Sequence, residues 1–153
     1  MAYLVVRLRG TVNTPYWADY TLRLLRLTRR YSATIVPENK VYESMLRKVK
    51  DHVAWCKVDK DTLKLILEKR GKMVGDKVID EDSIKRLGFS NIDEMADALA
   101  NDKIRLRDLK SIKPYFRLTP PRKGFKRSSK HMYSDGGILG DNRELPELIT
   151  RML

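Results

Sequence analysis

From Tyr3 to Arg9 the chain alternates apolar and polar positions. Leu4, Val6 and Leu8 share one face, Val5, Arg7 and Arg9 the other, and Gly10 ends the run. A period of two predicts a β-strand. The period then lengthens. Thr14-Pro15 supplies a cap and a proline suited to a first helical position. At about 100° per residue, Trp17, Ala18, Thr21, Leu22, Leu24, Leu25 and Thr28 form one arc, which predicts a helix from Tyr16 to Arg30. Arg23, Arg26 and Arg30 project from its far side; taken alone, a solvated face explains them better than a binding face does. Ser32 to Val36 is a second strand, stopped by Pro37. Asn39 can cap a helix over Lys40–Lys50 with Val41, Met45 and Val49 as its buried stripe. His52 to Val58 is a third strand. Two such helices cover one face of a small three-stranded sheet, so the other face needs a further cover or a partner.

The rhythm changes after Val58. Asp59 to Asp61 opens a helix ending at Gly71, Asp80 to Asp82 opens a short one ending at Gly88, and Asn91 with Glu94 has the spacing of a capping box for a helix to about Leu99. Lys103 to Ile112 alternates charged and aliphatic residues and fits a short helix or a strand. Asp135 to Asn142 is rich in glycine but lacks the lysine and hydroxyl of a nucleotide P-loop. It reads as a tight turn that places backbone close to another surface. A last helix then follows, capped by Asp141 or Asn142, with Leu145, Leu148, Ile149 and Met152 on one stripe and Pro146 tolerated in its first turn.

Charge divides the chain at the same places. The net charge of +12 is the sum of +7 in residues 1–58, zero in 59–112 and +5 in 113–153. The densest part is Lys113 to Lys130, where Lys113, Arg117, Arg122, Lys123, Lys126, Arg127 and Lys130 meet no carboxylate before Asp135. Tyr115, Phe116, Phe125 and Tyr133 are interleaved with these cations. Pro120-Pro121 favours an extended path, and Gly124 permits a turn. Such a density of like charge calls for an anionic partner with flat faces for stacking, and RNA fits best. DNA is less apt, because no helix-turn-helix or zinc-finger spacing is present. An inert solubilising tail is the plain alternative, but the stretch is internal, carries prolines and aromatics, and precedes an amphipathic helix.

Composition excludes other classes. Hydrophobic residues at 42% and charged residues at 34% describe a soluble globular chain. No apolar run reaches the length of a membrane span, and Met1 to Arg7 offers no secretory signal. A single cysteine, Cys56, rules out an internal disulfide and fits a reducing cytoplasm. His52 and His131 are too few and too far apart for a zinc site, and first-turn carboxylates explain Asp80–Asp82 and Asp93–Asp97 without a metal. No Ser–His–Asp, Cys–His or paired-acid set stands out. No cofactor, metal or small-molecule substrate is therefore expected. His52 and Cys56 are read as strand residues without chemical consequence.

Particular residues resemble the L-thirty family of large-subunit ribosomal proteins. They are Val5-Val-Arg-Leu-Arg-Gly10, Leu22-Arg-Leu-Leu-Arg-Leu27, Met45-Leu-Arg-Lys-Val49, Val53-Ala-Trp55 and Glu68-Lys-Arg-Gly71, then Phe116-Arg-Leu-Thr-Pro-Pro-Arg-Lys-Gly-Phe125, Gly136-Gly137 and Asp141-Asn-Arg-Glu144. The resemblance spans nearly the whole chain. Its most specific part is Pro-Pro-Arg-Lys-Gly-Phe with the late Gly-Gly and Asn-Arg-Glu. The longer archaeal form is closer than the eukaryotic one (L-seven in eukaryotes), which carries a basic N-terminal extension. The resemblance implies an α+β fold: a ferredoxin-like β-α-β-α-β core with a three-stranded antiparallel sheet in residues 1–58, a helical insert in 59–112, and an extended basic arm in 113–153 ending in a helix that packs back on the core. It further implies a structural constituent of the large ribosomal subunit, not an enzyme, bound to large-subunit rRNA and to neighbouring ribosomal proteins in the cytoplasm. The rRNA contacts implied are Arg23, Arg26, Arg29 and Arg30 on the first helix, and Arg117, Arg122, Lys123, Phe125, Lys126, Arg127 and Lys130 on the arm. Phe125 or Tyr133 would stack on an unpaired base or pack beneath the arm. The rival functions are a free-standing RNA-binding regulator and a small phosphate-ester or acyl-phosphate hydrolase on the same scaffold. The hydrolase would need an anion loop where only Asn13 is available.

Overall fold

A computed structural model describes residues 1 to 153. The first third follows the alternation of periods: β1 (Ala2–Arg7), α1 (Tyr16–Leu24), β2 (Ser32–Pro37), α2 (Lys40–Lys48) and β3 (Val53–Lys57). β1 lies between β2 and β3 and is antiparallel to both, with Leu4 opposite Ile35 and Cys56. Asn39 caps α2 as expected, its side-chain oxygen accepting from the Val41 N–H at 3.3 Å.

These three strands are the centre of a larger sheet. α3 (Lys60–Arg70), α4 (Glu81–Arg86) and α5 (Ile92–Ala100) follow β3, and Lys103–Ile112 resolves into a single 3₁₀ turn at Leu106–Asp108. β4 (Phe116–Arg117), β5 (Ser128–Met132) and β6 (Gly137–Asp141) then extend the sheet to six strands in the order β4-β2-β1-β3-β6-β5. The glycine-rich segment expected to be a turn is thus mostly strand β6, paired in parallel with β3 through Ala54 opposite Gly140 and Trp55 opposite Asp141. Two causes outweigh its turn-like composition. Ile138 and Leu139 bury in the core, and Gly137 leaves room for the backbone of β5, since a Cβ there would overlap the His131 carbonyl. Gly136, with φ 77°, keeps the turn, and Gly140 within β6 is also left-handed at φ 83°. Asn142 then leads into α6 (Leu145–Thr150): its side chain donates to Ile138 O at 3.1 Å and accepts from Glu144 N–H at 2.8 Å.

Each face of the sheet has a cover from within the chain. Val5, Val36 and Val53 pack with Ala18, Leu22, Leu25, Leu27, Leu46 and Val49 of the α1–α2 side. On the other face Leu4, Val6, Leu8, Ile35, Ala54 and Cys56 share a core with Leu63, Ile66 and Leu67 of α3, Met95 and Leu99 of α5, and Leu145 and Ile149 of α6. At about 1.5–3 kcal/mol per fully buried aliphatic side chain, this second layer is a major part of the stabilisation. Lys64–Asp93 at 2.8 Å, together with Lys60–Asp97, links α3 to α5, and Lys113–Asp76 at 2.6 Å ties the start of the basic stretch to the loop after α3.

The two residues read as chemically silent are inside. Burial pushes the Cys56 thiol up to about 12, with Asp59 and Asp141 adding to the shift. His52 is buried beside β3 and its Nδ1 has no hydrogen-bond partner. Burial, then Arg9 and Arg7, lower its pKa below the ordinary 6.5. The folded state therefore holds His52 neutral, so its contribution is complete above pH 6.5 and is lost as the pH falls below that value toward the depressed one. Urea midpoints of the natural chain are expected to fall between about pH 7.5 and pH 5.5. His52→Gln should flatten that dependence; an equal slope in the variant would assign it to other groups.

Candidate nucleic-acid interface

The helix carrying the first group of arginines is shorter than its periodicity predicts. α1 stops at Leu24, where Arg26 N–H donates to Arg23 O at 3.0 Å and Leu27 N–H reaches back to Leu22 O at 2.8 Å. Arg26 and Tyr31 both have φ 62° and bracket a turn between α1 and β2. Of the four arginines expected on the first helix, only Arg23 is helical, paired with Asp19 at 2.8 Å. Arg26, Arg29 and Arg30 stand exposed on the turn.

Arg7, placed by alternation on the same face as Val5, holds this turn in shape. Its side chain is completely buried. The guanidinium donates to Leu27 O at 2.8 Å, Arg9 O at 3.0 Å, Gly10 O at 3.0 Å and Thr28 O at 3.3 Å. Burial lowers its pKa, an effect opposed by Asp19. A buried cation without a paired carboxylate is tolerable here because backbone carbonyls replace its water. From the adjoining position Arg30 Nε donates to Leu8 O at 2.9 Å, while its guanidinium lies 4.7 Å from the Tyr31 ring centroid.

Tyr31 is also where the arm arrives. Its carbonyl accepts from Leu118 N–H at 2.9 Å, just past β4, and its ring centroid is 6.5 Å from that of Phe125. Phe125 is half-buried and packs against the core. The arm's backbone is tied down by Thr119 N–H to Met152 O at 3.0 Å and Arg122 N–H to Arg151 O at 2.9 Å. A turn closed by Gly124 N–H to Pro121 O at 3.0 Å then thrusts Arg122 and Lys123 into solvent. Lys123 has φ 63°, a left-handed conformation that costs a non-glycine residue about 1–2 kcal/mol.

The remaining arm cations divide by partner. Arg117 lies over Tyr115 at 5.6 Å. Lys126 pairs with Glu147 at 2.7 Å, and Arg127 pairs with Glu144 at 2.9 Å while lying over Tyr133 at 5.1 Å. Lys130 is on β5, the outer edge of the sheet, at the opposite side from β4 and Arg117. Arg29, Arg30, Arg122, Lys123 and Phe125 therefore belong to the elements that converge on Tyr31, Lys130 does not, and Arg23 with Arg26 turns toward a separate cleft. That cleft, of about 570 Å³, is also lined by Arg105 and Arg107 of the insert. Sequence reading missed Arg7, Tyr31, Arg105 and Arg107. The only signal for Arg7 was a charge inside an apolar strand, and none singled out the others.

The family model described as ribosomal protein L30p/L7e matches residues 3–53, from β1 to the start of β3. The large ribosomal subunit protein uL30 of Cenarchaeum symbiosum is 45% identical over 152 residues, covering 99% of this chain and 98% of the relative. The chain belongs to the L30p/L7e family of ribosomal proteins. Other relatives of that name extend the match: Nitrosopumilus maritimus at 41% identity with the same coverage, and Archaeoglobus fulgidus at 38% over 98% of this chain and 99% of the relative. The L30p/L7e family model stops before α3, whereas these archaeal relatives match through the insert, the arm and α6.

Proposed function

We propose that this chain is a structural component of the large ribosomal subunit in the cytoplasm, binding large-subunit rRNA through the α1–β2 turn and the arm. The observation that carries this reading is the junction at Tyr31, where two basic segments far apart in sequence meet on one aromatic pair. The family supplies the setting, since its members are ribosomal proteins and not enzymes.

The division of labour follows the chain. Residues 1–58 form the RNA-binding core, with Arg23, Arg26, Arg29 and Arg30 neutralising phosphates. Residues 59–112 cover the second face of the sheet. Residues 113–153 supply Arg117, Arg122, Lys123, Lys126, Arg127 and Lys130, with Phe125 as the prop beneath them. Arginine forks give paired, directional contacts to phosphate oxygens. The exposed surface left over is available to neighbouring ribosomal proteins. No reaction is involved: Asn13, the one residue a hydrolase could have used after β1, is exposed at φ 56° in the Gly10–Thr14 loop.

Sedimentation tests the reading. The chain should travel with large subunits through a sucrose gradient at moderate salt and leave them only at high salt. Release at moderate salt, with binding to free RNA retained, would identify a free-standing RNA-binding protein instead.

A further inference from the structure

We propose that the cleft between the end of α1, the outer edge of β2 and the Leu106–Asp108 turn receives one unpaired nucleotide of RNA, which makes the helical insert part of the RNA-contacting surface. This rests on the reading of the chain as an rRNA-binding protein and adds a site outside the turn–arm junction.

Three observations carry it. The first is charge. Arg23, Arg26, Arg105 and Arg107 line the cleft with Asp108 as the only carboxylate. Arg26, Arg105 and Arg107 are exposed and take part in none of the protein's ion pairs. The insert's zero net charge is a balance of equal numbers of cations and carboxylates along the chain, of which Lys60–Asp97, Lys64–Asp93 and Lys72–Asp76 pair within it. What sets Arg105 and Arg107 apart from the insert's other cations is their place in the cleft, facing Arg23 and Arg26 of the basic core.

The second is shape and polarity. The cleft's volume of about 570 Å³ is within the range of small-ligand sites. Its walls pair the arginines with Leu24, Ile35, Pro37, Tyr42 and Pro114. A cleft built only for phosphate would not need these apolar surfaces, whereas a nucleotide offers both a charged backbone and a flat base. Asp108 would repel a bare phosphate but can accept from the amino edge of a base.

The third is the open edge of β2. β4 pairs only with Ser32 and Ala33, so β2 from Ile35 to Pro37 has no strand beyond it. The cleft occupies that gap. It is continuous with the α1–β2 turn through Arg23 to Arg26, so an RNA strand lying across Arg29 and Arg30 has a direct path into it. An acidic protein segment is the rival occupant. RNA is favoured by this continuity and by the side-by-side supply of stacking and phosphate-binding groups.

The test uses the full chain and protein-free large-subunit rRNA of an archaeon. Arg105→Glu with Arg107→Glu is expected to weaken binding about tenfold or more, and to lower the slope of log affinity against log salt by about 1.4, the value for two single-strand phosphate contacts. Ultraviolet cross-linking of the natural complex should place a nucleotide adduct on Tyr42, absent from the double variant. Unchanged affinity and slope overturn the proposal; a changed slope without any adduct on Tyr42 overturns the base slot. Normal binding to bare rRNA with failed incorporation into protein-containing subunits would assign the cleft to a protein and overturn it as well. Arg122→Ala with Lys123→Ala is measured in parallel. If that variant loses affinity while the cleft variant does not, only the cleft proposal fails; if neither does, the function proposed above fails too.

Discussion

Replacing Arg7 with methionine is expected to lower the unfolding free energy by about 3–5 kcal/mol, measured by urea titration. Methionine approaches the length of the arginine stem, so packing is largely kept. What is lost is the donor set. The carbonyls of Arg9, Gly10, Leu27 and Thr28 face the guanidinium and belong to the backbone, so no substitution can remove them. Exchanging a whole buried ion pair for apolar groups is often neutral, but removing one side of a buried polar set is not. Lysine offers a single ammonium where a fork serves four carbonyls, so Arg7→Lys should recover only part of the loss. Hydrogen exchange should show the amides from Leu27 to Tyr31 opening first in both variants. A methionine variant within about 1 kcal/mol of the natural chain would show that the turn is held by something other than Arg7.

The second large effect is on RNA affinity. Arg122 and Lys123 are exposed and belong to no ion pair, whereas Lys126 and Arg127 already face Glu147 and Glu144. Removing Arg122 and Lys123 together should weaken binding to large-subunit rRNA about tenfold to a hundredfold at moderate salt, and reduce the salt slope by about 1.4–1.8. Removing Lys126 and Arg127 should reduce the slope less. Those two cations carry carboxylates as internal counterions and exchange them for phosphate without releasing a full ion to solution. Filter binding across a salt series separates the two variants, and equal slopes would contradict this difference in environment.

How legible all this was depended on which force decided each element. The β1-α1-β2-α2-β3 order was readable because burial imposes a period, and Leu4, Val6 and Leu8 face the core as alternation requires. The end of α1 was not. Leu22, Leu24, Leu25 and Leu27 continue a helical pattern without glycine or proline, and the helix stops because carbonyls beyond it turn to Arg7, which is distant in sequence. β6 was hidden for the opposite reason, its glycines signalling a turn while the neighbouring strands required close approach. Within the arm, the density of charge could not tell Lys126, which pairs with Glu147, from Lys123, which has no ion-pair partner. A charge tally over 59–112 returned zero and concealed Arg105 and Arg107, because a sum along the chain averages groups that the fold separates in space.

The left-handed residues at Arg26 and Lys123, both exposed, have an evolutionary consequence. Glycine adopts that backbone without strain, so a selection for thermal resistance alone, applied to the chain in the absence of RNA, should drive these two positions toward glycine. Selection for growth should hold the arginine and lysine in place. Sequencing the survivors of both regimes would weigh, position by position, what the ribosome demands against what the fold prefers.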